Sequence, residues 1–108
     1  MKIEIYTADA AKLKAKILND ARENKLATWK CASGKSDVFL THTPDQWVDK
    51  VILQFLPSEN NTVLSVCPTY WNGRPVPTGD EIGTIMGRFS ERLWIQYRAD
   101  FSSFESVV

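Results

Sequence analysis

With one histidine and two cysteines, this chain is poorly supplied with the usual zinc ligands. A structural zinc site ordinarily gathers four Cys or His side chains at short spacings. Here Cys31 and Cys67 lie far apart in apolar, strand-like segments, with no C-x-x-C pair and no histidine beside them. Each reads as a small buried hydrophobe rather than as half of a disulfide. Glycine is sparse as well, and neither G-x-G-x-x-G nor G-x-x-x-x-G-K occurs, so dinucleotide and P-loop phosphate binding have no fingerprint. No metal and no cofactor is expected.

Charge of one sign is also missing. Thirteen Lys and Arg balance thirteen Asp and Glu, so no global field draws nucleic acid or an anionic membrane from a distance. The most basic edge, Lys12, Lys14, Lys16, Arg22 and Lys25, is interleaved with Asp9, Asp20 and Glu23, the pattern of a solvated helix face. No stretch approaches the roughly 20 apolar residues that cross a bilayer. The N-terminal apolar run is broken by Glu4 and lacks a small-residue cleavage site, which argues against a signal peptide. A soluble, cytoplasmic protein without a membrane partner is the expectation.

What is present suits one core. With 108 residues, 44% hydrophobic and 24% charged, the chain has the composition of an ordinary globular domain spanning 1–108. Lys2 to Tyr6 alternates as a strand, and Thr7 can cap a helix over 8–24 with Ala10, Leu13, Ile17 and Ala21 as its stripe. Residues 26–32 and 37–41 form a hairpin about Ser33-Gly34-Lys35-Ser36. Residues 50–56 and 62–67 form another about Pro57 to Asn61. Thr78-Gly79-Asp80-Glu81 has capping-box spacing and opens a helix to about Arg98, with Ile82, Ile85, Met86, Phe89 and Leu93 inward. From about residue 102 the period is lost, and the tail is expected to fray. The order β-α-β-β-β-β-α gives an α+β fold: a mostly antiparallel sheet of about five strands with both helices on one face.

Chemistry, if any, should pass through Thr41-His42-Thr43-Pro44-Asp45-Gln46-Trp47, because His42 alone titrates near neutrality. The same residues also spell a helix start. Thr43 is a good N-cap, Pro44 suits the first position, Asp45 suits the positive helix end, and Gln46 completes the box. His42 and Trp47 then take the two positions of a hydrophobic staple, imidazole against indole. Catalysis would use only His42 and Asp45 and finds no G-x-S-x-G elbow.

Tyr70 to Pro77 is the long irregular segment and offers Tyr70, Trp71 and Arg74 for binding. Arg88, Glu91 and Arg92 stand one helical turn apart, so Glu91 can pair back to Arg88. Gly83 and Gly87, four apart in the same helix, suggest close backbone packing there or a ligand or partner strand across the gap. Three functional readings follow. The first is a non-catalytic protein- or peptide-binding domain with a rim of His42, Trp47, Tyr70, Trp71, Arg74 and Arg88, with edge-strand pairing as a route to homo-oligomers. The second is a small-molecule enzyme with His42 as acid/base. The third, base stacking on the tryptophans beside Lys30 and Arg74, is disfavoured by the zero net charge.

Overall fold

Six strands pair antiparallel throughout, in the order β2-β3-β4-β5-β1-β6. The computed structural model describes residues 1–32, 39–44 and 46–108. The strands are β1 (Lys2–Tyr6), β2 (Trp29–Cys31), β3 (Phe39–His42), β4 (Ile52–Pro57), β5 (Val63–Thr69) and β6 (Ser103–Val107). Helix α1 (Ala10–Arg22) crosses from β1 to the far edge, and α2 (Gly79–Gln96) crosses from β5 to β6. The expected α+β architecture is present, with one strand more than the patterning indicates.

Register explains which side each residue takes. Ile3 faces Val66, Ile5 faces Leu64, Phe55 faces Val66 and Leu40 faces Leu53, so these apolar residues share one side. All are at most 1% exposed and join Leu13 and Ile17 of α1 and Ile85, Phe89 and Leu93 of α2 in a single core. Burying each such large side chain contributes roughly 1.5–3 kcal/mol. Phe89 meets Trp29 edge-on at 5.5 Å and Phe55 at 5.7 Å, which seats α2 over the β2–β4 half of the sheet. Tyr97, fully buried where α2 ends, donates its hydroxyl to Asp20 Oδ2 at 2.7 Å and ties the two helices together. Burial first, and the Asp20 carboxylate second, push this phenol far above its ordinary value.

The capping box at Thr78 forms in full: Glu81 N–H donates to Thr78 Oγ1 and Thr78 N–H donates to Glu81 Oε1. Several other expectations are corrected. Helix α1 is capped by Asp9, whose Oδ1 accepts from Lys12 N–H, because the Thr7 hydroxyl is engaged by the Asp100 carbonyl. The strand expected over 26–32 shortens to three residues, since Ala27 turns the chain with φ +47. Gly83 and Gly87 are not sites of close packing, because a Cβ at either would meet nothing within 4 Å. The tail does not fray from residue 102: Ser103–Val107 pairs along β1, with Phe104 opposite Ile5. A five-residue edge strand with one inward aromatic is too short to show a period. The turn Ser33-Gly34-Lys35-Ser36 and the start of its following strand lie outside the described residues.

The helix start at Thr43 becomes a single turn. Trp47 N–H and Val48 N–H both donate to the Pro44 carbonyl, at 2.8 and 3.0 Å, and Asp49 then adopts φ +58 and donates its N–H to Thr41 Oγ1. Only nine residues separate β3 from β4, which pair directly, so the hairpin leaves no room for a longer helix.

Candidate functional site

His42 ends β3 opposite Trp29, and this register, rather than a staple, decides where its ring goes. The imidazole packs on the Trp29 indole at 4.6 Å between centroids, with the planes tilted by 41°. The expected face-to-face pair with Trp47 is replaced by this cross-strand contact. Thr43 N–H donates to the Thr28 carbonyl at 2.7 Å and closes the strand ends beneath the ring. The Pro44 turn then brings Gln46 and Trp47 alongside.

Helix α2 supplies the opposite wall. With Ile85, Phe89 and Leu93 turned to the core, the i, i+4 pair Arg88 and Arg92 falls on the helix flank nearest β2 and β3. The result is a groove of about 360 Å³ lined by Thr28, Trp29, His42, Pro44, Gln46, Trp47, Arg88, Glu91 and Arg92.

Unpartnered buried polar atoms mark this groove. Among the described residues, two buried side-chain polar atoms lack a hydrogen-bond partner, His42 Nδ1 and Arg92 Nε, and both belong to its walls. Unsatisfied buried groups are few in native proteins, and each calls for an explanation. Burial lowers the His42 pKa below the ordinary 6.5; the Thr28 backbone opposes this shift and the Arg88 charge adds to it. The imidazole is therefore neutral at pH 7. Arg88 and Glu91 both line the groove but form no ion pair, contrary to expectation; such a surface pair offers only about 0.2–0.5 kcal/mol. Two other clefts each hold a paired lysine. Lys16 pairs with Asp100 in the cleft at the start of α1, and Lys50 pairs with Glu81 in the cleft beside Arg74.

No protein-family model, curated protein or solved structure matches this chain.

Of the residues picked out by sequence, His42, Trp47 and Arg88 meet in the groove. Tyr70, Trp71 and Arg74 do not join them. Trp71 packs edge-on against Phe39 at 5.5 Å, on the sheet face away from the helices, and its Nε1 donates to Asp49 Oδ1. Tyr70 borders a small apolar niche with Pro68, Val76, Pro77 and Ile82, while Arg74 lines the neighbouring cleft that shares Gln46. The expected rim is thus divided, because Trp71 packs on Phe39 across the sheet face away from the helices instead of reaching His42. Asp45, the suggested partner of His42, lies outside the described residues. Thr28, Trp29, Pro44, Gln46, Glu91 and Arg92 complete the groove and are not among the rim residues expected from the sequence. The i, i+4 spacing of Arg88 and Arg92 beside a core stripe was the available signal. Among the described residues no group of three His, Cys, Asp or Glu gathers as a metal site, and no helix is long and apolar enough to cross a membrane.

Proposed function

We propose that the protein is a non-catalytic binding domain whose groove between the β2–β3 end and α2 receives a segment of a partner polypeptide. The observation that carries this reading is the coincidence of two partnerless buried nitrogens with two tryptophans and two arginines outside any ion pair. Tryptophan and arginine are the residue types most often responsible for binding energy at protein interfaces. Leaving a buried donor such as Arg92 Nε unpaired costs stability in the free protein, and a bound acceptor recovers that cost. At about 360 Å³ the groove accommodates one or two side chains of a bound segment.

Glu91 lies in the same groove as His42, and that supports acid/base chemistry to a degree. Two features weigh against it. The Nδ1 atom has no hydrogen-bond partner to orient the ring, and among the described residues the lining offers no Ser, Cys or Lys, its one hydroxyl being that of Thr28. The test is selection from a random peptide display library on the immobilised chain, with counter-selection on Trp47→Ala/Arg88→Ala of matched thermal stability. Peptides enriched on the parent and lost on the variant support the reading. Peptides that bind both proteins equally place the binding surface elsewhere.

A further inference from the structure

We propose that the charged position of this groove recognises a single carboxylate, the side chain of a glutamate or aspartate in the bound segment, held by the guanidinium groups of Arg88 and Arg92. The inference rests on the groove being the peptide-binding surface, and it adds the chemistry that is read there.

Three observations lead to it. Arg88 and Arg92 stand one turn apart on one flank of α2, a separation of roughly 5–6 Å between Cβ atoms that lets two guanidinium forks converge on one small anion. Neither arginine is in an ion pair, and Arg92 Nε is buried without an acceptor. His42, 7% exposed and lining the same groove, has a second nitrogen without a partner. The site therefore holds one buried guanidinium donor without an acceptor, beside an imidazole whose unpartnered nitrogen becomes a second donor when the ring is protonated, and this is more than a basic patch on a surface.

Charge selects the carboxylate over a phosphate. Among the described residues, the ionisable groups of the lining are Arg88, Arg92 and Glu91 from α2 and the neutral His42 from β3. The flanking segments contribute Thr28, Trp29, Pro44, Gln46 and Trp47, none of which titrates near neutrality. Two positive charges and one negative leave these described residues with a net charge of +1, which one carboxylate neutralises. A phosphomonoester brings about −1.5 to −2 at pH 7 and would lie beside Glu91 with its excess charge uncompensated. A carboxylate beside His42 also favours the protonated imidazole and opposes the effect of burial.

The test uses the full chain and three capped peptides, acetyl-Leu-Glu-Leu-amide, its Gln counterpart and its phosphoserine counterpart, titrated by NMR while the Trp47 indole and His42 ring signals are followed. As the only histidine, His42 is identified without further labelling. The expected result is binding of the Glu peptide at least tenfold tighter than the Gln peptide, with a rise in the His42 pKa and no gain for phosphoserine. Arg92→Met, checked for an unchanged or raised melting temperature, removes the preference for Glu over Gln. Equal binding of Glu and Gln peptides, tighter binding of phosphoserine, or no groove response to the Glu peptide overturns the carboxylate assignment. Display-selected peptides separate the two levels. If they bind the groove without an acidic residue, the carboxylate assignment fails and the binding reading stands; if they avoid the groove, the binding reading itself fails.

Discussion

Replacing Arg92 with methionine should stabilise the free protein while abolishing its recognition of anions. Arg92 Nε is buried and makes no hydrogen bond, so the guanidinium is partly dehydrated without return. A buried polar group in that state costs about 1–3 kcal/mol, and the lower end applies because the residue as a whole is only half-buried. Methionine keeps an unbranched aliphatic stem and removes the unsatisfied donor. The expected gain is about 1 kcal/mol, equivalent to a rise of roughly 4 °C in melting temperature for a domain of this size. Thermal and urea unfolding at pH 7.5, followed by circular dichroism, measure it. Arg88→Met is the control: its side chain is exposed, and its stability should change by no more than about 0.5 kcal/mol. A loss of more than about 1 kcal/mol in Arg92→Met would refute the reasoning, because it would make the guanidinium a structural element rather than a binding group.

Gly87→Ala should stabilise by up to about 1 kcal/mol, read from urea midpoints, because the added methyl meets nothing within 4 Å and helix propensity alone decides the sign. Tyr97→Phe should destabilise by about 1.5–3 kcal/mol in the same assay, since it removes a 2.7 Å bond to the Asp20 carboxylate that joins the helices. Tyr6 should resist ionisation in an alkaline absorbance titration, its pKa pushed up to about 12 by the Glu105 carboxylate that accepts its hydroxyl. For His42 the folded pKa lies below the unfolded value, so the unfolded chain binds the proton more readily. Stability should be fully present above the unfolded value of about 6.5 and fall as the pH drops through it towards the lower folded pKa. In His42→Gln this fall should disappear from melting curves recorded across that range.

Local signals carried far in this chain. Alternation over Lys2–Tyr6 coincides with β1 residue for residue, and Thr78 to Glu81 makes both bonds of its box because both partners lie within one turn. Turn residues at Pro57 to Asn61 likewise mark the β4–β5 connection. Expectations failed where a distant partner competed. The Thr43 box yielded to pairing of β3 with β4, and Thr7 gave up its cap to bond Asp100, 93 positions away. The strand order was not legible, because β1 and β6 recognise each other through pairs such as Ile5 and Phe104 that no local period records. Half of the expected rim was misplaced for the same reason. Trp71 has an apolar partner in Phe39 on the opposite sheet face, so an aromatic in a loop was stacked rather than available.

The central claim is that the groove, and no other aromatic surface, receives the partner segment. Four tryptophans make the molecule its own reporter, because Trp29 and Trp47 line the groove, Trp71 lies across the sheet, and Trp94 is exposed beside Phe101 and Phe104 near β6. The most direct measurement is an indole N–H spectrum of the full chain titrated with display-selected peptides. Movement of the Trp47 and Trp29 signals, with Trp71 and Trp94 unchanged, is the predicted result. Movement confined to Trp71 or to Trp94 would contradict it and transfer the binding surface to the open sheet face or to the β6 edge.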